Sequence, residues 1–366
     1  MKTIAIVMGT RPEIIKLAEL IRLLKLEKAA KTLLVYTGQH YDYNLFNVFM
    51  EELELPVLDT NLGIHGGANE EQVSLMRERL AAFFSENGVD IAVAEGDTNS
   101  VLAAALAAGD AGCEFAHVEA GLRSFDNRMP EEKNRIEADR LALYAFAPTK
   151  GAVDNLRREP VPAERIFLTG NTIVEAVEAH LAKAAHSGIL ERLGLKPGKY
   201  AVLTAHRQEY VDRKECLEEL LLALEEVCKG LVIVFPAHPR TMKNLAEFGL
   251  LERAKGIANM RFVEPLGYFE FLKLASNAMF LLSDSGGIHE EASIYKKRVI
   301  IMRDSTERPE ILGSFGVLTG YNADRIVEES RNAMENYAEI DRALRKVPSP
   351  FGDGRASQRI AKILLG

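Results

Sequence analysis

The chain has 366 residues, enough for two ordinary domains with sizeable cores, and its 47% hydrophobic and 27% charged content is that of a globular protein. A net charge of −8 excludes broad, sequence-independent nucleic-acid binding, though not a local basic pocket for an anionic metabolite. No apolar run approaches the roughly 18–20 residues of a membrane span, and no basic-then-apolar leader precedes the first strand-like run, Thr3-Ile4-Ala5-Ile6-Val7. Three cysteines without metal-ligand spacing, Cys113, Cys216 and Cys228, read as buried free thiols in a reducing cytoplasm.

Short apolar runs alternate with amphipathic stretches nearly from end to end. In the first half, strands are predicted at 3–8, 32–37, 90–95, 114–118, 144–147 and 165–169, with helices at 12–25, 70–87, 98–108 and 131–143. In the second half, strands are predicted at 200–205, 231–236, 260–264, 279–283, 298–302 and 316–319, with helices at 213–229 and 324–336. Such alternation means parallel sheets covered on both faces. Six strands on each side of residue 170 suggest two doubly wound Rossmann-like domains, 1–170 and 171–354, not one very wide sheet. The loop Leu193 to Lys199 follows helix 172–186, so the junction falls within 170–198. The closing helix, 355–366, can dock on either domain, the first included.

Ligands of doubly wound sheets bind at the carboxyl ends of the strands, so the residues just after each strand carry the functional reading. Gly9-Thr10-Arg11-Pro12-Glu13 follows the first strand, with Lys16 one turn on; proline suits a first helical position, and Arg11 and Lys16 read either as solvated cations or as anion ligands. Glu95-Gly96-Asp97 follows the strand 90–95, where Asp97 makes a good helix N-cap. His117 and Glu119, two apart at a strand end, point to one side of the sheet; Glu119 needs a partner, for which Arg123 is near. Glu131 and Glu132 open a helix that also carries Arg135. If Asp97, Glu119 and Glu131 converge, repulsion sets an acid beside a base; the spacing cannot decide this.

In the second half, Ala205-His206-Arg207 and Pro236-Ala237-His238 stand at strand ends. The most informative segment is Ser283-Asp284-Ser285-Gly286-Gly287-Ile288-His289-Glu290-Glu291. A strand turning into a helix through Ser-Gly-Gly aims unpaired N–H groups and the helix dipole at a phosphate. The two glutamates are expected in the first turn, able to accept ribose hydroxyls. Arg308 opens a further strand-then-proline turn, and Phe271 is either a base-stacking ring or core. No histidine pair has metal-binding spacing.

The combination resembles the non-hydrolysing UDP-N-acetylglucosamine 2-epimerases, in register along nearly the whole chain. The resemblance is carried by Gly9 to Glu13, Gly38-Gln39-His40, Gly96-Asp97-Thr98, His117 to Ser124, and Pro130 to Arg135. It continues through Gly170-Asn171-Thr172, His206-Arg207, His238-Pro239, Asp284 to Glu291, Thr306 to Glu310 and Pro350 to Gly354. It implies the GT-B fold, two Rossmann-like domains facing across a cleft. It implies interconversion of UDP-N-acetylglucosamine and UDP-N-acetylmannosamine by elimination and re-addition of UDP, without metal or nicotinamide. By motif, Asp97, Glu119, Glu131 and His206 take the catalytic positions. Arg11, Lys16, Arg135, Phe271, Ser285, Gly286, Gly287, Glu291 and Arg308 take the substrate-binding ones. A cytoplasmic homodimer acting on a UDP-sugar, with no nucleic-acid or membrane partner, is the corresponding expectation.

Three departures stand out. The family often has glutamine at His289, and an Asp-His pair where this chain has Asp139-Arg140. Bacterial members bind a second, activating UDP-N-acetylglucosamine through a Gln-His-x-x-Gln segment and an Arg-Gln pair. This chain has Gln39-His40-Tyr41-Asp42-Tyr43 and Glu71-Gln72, and an acid in place of arginine would repel a diphosphate, so altered or absent activation is expected. The rival readings are a hydrolysing epimerase, a GT-B glycosyltransferase and a non-catalytic nucleotide-sugar sensor.

Overall fold

The computed structural model describes residues 1–39, 50–66, 68–126 and 128–366. His40 to Tyr43, singled out above, lie outside the described residues. Two compact units emerge: Met1–Ala176 with Phe351–Gly366, and Val177–Pro350. Helix Ile173–Ala184 carries the chain from the first to the second, so the first unit reaches beyond residue 170 and takes in the tail from Phe351.

The first unit holds β1 (Lys2–Met8), β2 (Ala30–Tyr36), β3 (Thr60–Asn61), β4 (Ile91–Glu95), β5 (Glu114–Val118), β6 (Tyr144–Ala147) and β7 (Ile166–Leu168). They form one sheet in the order β3-β2-β1-β4-β5-β6-β7, and every pairing is parallel. The second unit holds β8 (Tyr200–Thr204), β9 (Val232–Pro236), β10 (Met260–Val263), β11 (Phe280–Ser283), β12 (Arg298–Ile301) and β13 (Gly316–Leu318). Its parallel sheet runs β10-β9-β8-β11-β12-β13. The expected pair of doubly wound sheets is therefore present. The two-residue β3 was not predicted, because so short a segment has no periodicity to read.

The central strands are mostly apolar because both faces are covered: β1 is buried from Ile4 to Met8. Each sheet reverses its strand order once, at β1/β4 and at β8/β11. Chains leave a reversal in opposite directions, which opens a crevice at the carboxyl ends of those strands.

The helices that bear on the site start from these ends. Helix α1 (Arg11–Leu26) has Pro12 in its first turn, and Glu13 turns back to accept the N–H groups of Gly9 and Thr10. Helix α2 (Asn99–Ala111) buries Ala103, Ala104, Ala105, Ala107 and Ala108, short side chains that let it lie close on β4. Helices α3 (Pro130–Leu141) and α4 (Gly286–Tyr295) follow the loops after β5 and β11. Helix α5 (Ala356–Leu365) packs on α1 within the first unit, its first N–H groups taken by Glu175. All three cysteines are free, and burial pushes the Cys228 thiol up to about 12. No helix of the described residues is long and apolar enough to cross a membrane.

Candidate active site

The first unit gathers its charged residues at the β1/β4 reversal. Lys16, one turn into α1, is buried and ion-paired to both Glu95 and Glu119. Glu119 also accepts from Asn171 Nδ2 at 2.8 Å. Its backbone is left-handed, φ 71°, uncommon for a residue with a side chain. Such strain persists only where the surroundings hold it, and it clusters at functional sites.

The surroundings that hold it are a buried polar chain. His117 Nδ1 meets Asp139 Oδ1 at 2.6 Å, and His117 Nε2 meets the Gly96 carbonyl at 2.7 Å. Asp139 also accepts from Gly121 N–H and from Arg123, which forks onto Glu159. Burial alone would raise the Asp139 carboxyl, but His117 and Arg123 hold it below its usual range. This chain braces the turns at Gly96 and at Glu119-Gly121, the turns that present Asp97 and Glu119.

Asp97, half-buried, is ion-paired to Arg135, whose other nitrogen reaches Glu132 at 2.8 Å. Glu132 further collects the N–H groups of Ser124 and Phe125, fixing the loop before α3. Glu131 stands half-buried in the first turn of that helix. Arg11 is half-buried at the start of α1.

Three expectations are corrected here. Arg123 is the partner of Asp139 and Glu159, not of Glu119, which takes Lys16 and Asn171 from elsewhere in the chain. Asp97 is not the N-cap of α2; Thr98 holds that position and donates to Glu13, leaving the aspartate to Arg135. Strand alternation does not carry His117 and Glu119 to one side, because β5 ends at Val118 and the chain turns at Glu119.

The second unit builds its site at the β8/β11 reversal. Asp284, fully buried, accepts the N–H groups of His206 at 2.7 Å and Arg207 at 2.8 Å through Oδ2. It thereby fastens the loop after β8 to the end of β11. Its Oδ1 receives no hydrogen bond among the described residues and lies 3.6 Å from His206 Nδ1. The His206 side chain is 40% exposed and lies against the ring of His238.

Ser285 precedes α4, whose first turn holds Gly286 and Gly287 and no acid. Glu290 and Glu291 fall one turn later than expected. Glu290 pairs with Arg308 at 2.7 Å, and Glu291 accepts from Tyr295 at 2.7 Å. Arg308 lies beside Gly286, where a Cβ would come within 2.7 Å of its Nη1. The dipole and first N–H groups of α4 suit an anion, and Arg308, although paired with Glu290 and Glu307, stands beside that terminus. His289 is buried with Nδ1 3.2 Å from Thr306 Oγ1. Burial, with the charges of Arg303, Arg308 and Arg207, pushes its pKa well below the ordinary histidine range, so it is neutral. Phe271 is half-buried on the helix Tyr268–Ser276.

Glu95, Glu132, Asn171 and Asp284 stand among these contacts without a role assigned from sequence. The available signal was an acid closing an apolar run, as in Glu95 and Asp284, which must find a partner when buried. Among the described residues no group of three or more His, Cys, Asp or Glu side chains is placed to hold a metal ion. Glu71 is exposed, while Gln72 accepts from Asn99 Nδ2 at 2.9 Å.

The family model described as UDP-N-acetylglucosamine 2-epimerase matches residues 23–365. A UDP-N-acetylglucosamine 2-epimerase of Methanocaldococcus jannaschii is 40% identical over 370 residues, 99% of this chain and 98% of the relative. Its crystal structure in complex with UDP-GlcNAc and UDP superposes with a TM-score of 0.89, covering 99% of each chain. The Neisseria meningitidis UDP-GlcNAc 2-epimerase bound to UDP-GlcNAc is 30% identical, with a TM-score of 0.90 and all of both chains covered.

Proposed function

The chain belongs to the UDP-N-acetylglucosamine 2-epimerase family, and from that premise we propose that it interconverts UDP-N-acetylglucosamine and UDP-N-acetylmannosamine without hydrolysis. The observation that carries this reading is the start of α4, whose first turn holds two glycines and no acid and has the Arg308 guanidinium beside Gly286. A diphosphate is the anion such a terminus fits. The hydrogen at carbon 2 of the sugar is weakly acidic, so direct deprotonation is slow. Elimination solves this. A base takes the proton from carbon 2, the bond from carbon 1 to the diphosphate oxygen breaks, and UDP leaves a 2-acetamidoglucal. UDP then attacks carbon 1 again while an acid protonates carbon 2 on the opposite face.

Ser285, Gly286, Gly287 and Arg308 serve the diphosphate, stabilising the charge that grows on the leaving group. Glu291 serves the ribose and Phe271 the uracil; Arg11, Lys16 and Arg135 complete the binding set. Asp97, Glu119, Glu131 and His206 supply the acid–base groups. The strained turn at Glu119 and its bracing by the His117–Asp139–Arg123 chain support this assignment.

Incubation with UDP-N-acetylglucosamine in deuterated water, followed by NMR, tests the proposal. The expected result is a mixture of intact UDP-sugars carrying deuterium at carbon 2. Free N-acetylmannosamine with UDP would show a hydrolysing enzyme instead, and an unchanged spectrum would remove epimerisation altogether.

A further inference from the structure

Glu95 is a buried acid that the mechanism above does not use. It closes β4 with its side chain 2% exposed, and Oε1 lies 3.0 Å from Lys16 Nζ. Lys16 is also the partner of Glu119, so one buried ammonium faces two buried carboxyls. Ionising all three leaves a net negative charge out of water, which is costly.

The sharing is uneven. Glu119 receives a hydrogen bond from Lys16 and another from Asn171 Nδ2. Glu95 Oε1 has the ammonium nearby but off the direction of a hydrogen bond, and receives none from the described residues. The other charged groups around it sharpen the contrast. Glu13 on α1 acts on Glu95 with a like charge. His117 on β5 and Asp97 after β4 are engaged with Asp139 and Arg135. Burial first, then the nearby acids Glu119 and Glu13, push the Glu95 carboxyl well above the usual range, with Lys16 opposing. Burial and the like charges thus favour the neutral form of Glu95.

We propose that Glu95 is a positioning residue for Glu119: as a neutral acid it leaves Lys16 to Glu119, and on ionising it competes for the same ammonium. The role rests on the proposed epimerase reading. Its kinetic consequence is an alkaline limb. Raising the pH removes the proton from Glu95, draws Lys16 off Glu119, and lowers turnover.

Two measurements test it. In the wild-type protein, kcat should fall on the alkaline side, and Glu95→Gln, which imitates the neutral acid, should abolish that fall. Profiles of the same shape in both proteins would overturn the proposal. Carboxyl-labelled glutamate followed by 13C NMR, in wild-type protein without substrate, should show the Glu119 resonance shifting as Glu95 ionises. Independent titrations would also overturn it, even if Glu95→Gln failed to fold. Coupled resonances in a protein that turns over no UDP-N-acetylglucosamine would instead sink the epimerase reading and leave the Glu95–Glu119 link standing.

Discussion

Glu13 shows how a single buried acid ties the fold to pH. It accepts from Gly9, Thr10 and Thr98, yet desolvation dominates those hydrogen bonds and raises its carboxyl to about 7. A folded-state value above the unfolded one means that folding favours the protonated form. That contribution is complete below the ordinary value of 4.5 and is lost as pH rises through about 7. The difference corresponds to about 3 kcal/mol. Glu13→Gln should therefore flatten the decline of stability with pH across this window, read as denaturation midpoints. An unchanged slope would show that the side chain titrates normally. At the proposed catalytic residues, Glu119→Gln and His206→Asn should cut turnover by about 10²-fold or more while the melting curve stays cooperative. Full activity in either variant removes that residue from the mechanism.

At the scale of elements, the two glycines that matter do different work. Gly121 has φ 84°, and a Cβ there would lie 2.4 Å from the Ala152 carbonyl, a backbone atom of a packed helix. Gly121→Ala should cost several kcal/mol, roughly the range of severe core changes, and lower the melting temperature with or without ligand. Gly286 has an ordinary φ, and its Cβ would meet the guanidinium of Arg308, not backbone. Gly286→Ala should leave the fold intact and weaken UDP binding about tenfold by displacing the guanidinium, a cost near 1.4 kcal/mol. Calorimetry with UDP checks this; unaltered affinity would mean that Arg308 does not serve the diphosphate.

At the scale of the whole molecule, the first unit owns both ends of the chain. Phe351 is fully buried, its carbonyl takes the Asn171 N–H at 2.7 Å, and Lys2 reaches the Leu364 carbonyl at 2.8 Å. Removing residues 351–366 would strip α5 from α1 and leave Glu175 without the N–H groups it caps. That truncation should destabilise the first unit, seen as a loss of hydrogen-exchange protection in β1 and α1; retained protection would show the tail to be dispensable. If Glu71 repels a second diphosphate, as its place in the sequence leads us to propose, a plot of rate against UDP-N-acetylglucosamine should be hyperbolic. Strong sigmoidality, or inactivity toward UDP-N-acetylmannosamine until UDP-N-acetylglucosamine is added, would refute it. We further propose a homodimer, to be checked by light scattering against the 40.5 kDa chain mass.

Local physics made much of this protein readable in advance. Short apolar runs between amphipathic helical stretches mark buried parallel strands, so β1, β4, β8 and β11 could be placed without coordinates, and with them the residues at their carboxyl ends. The Ser285-Gly286-Gly287 turn announced a helix start suited to an anion. Pairings were another matter. Lys16 and Glu119 are 103 positions apart, and nothing nearby in the chain distinguishes that partner from Arg123, four residues away. Charge neutralisation inside a protein depends on distance in space and on exclusion of water, and both exist only once the sheet has brought the strand ends together. Composition and periodicity therefore determined the architecture and the positions of the functional loops, while folding alone decided which acid holds which base.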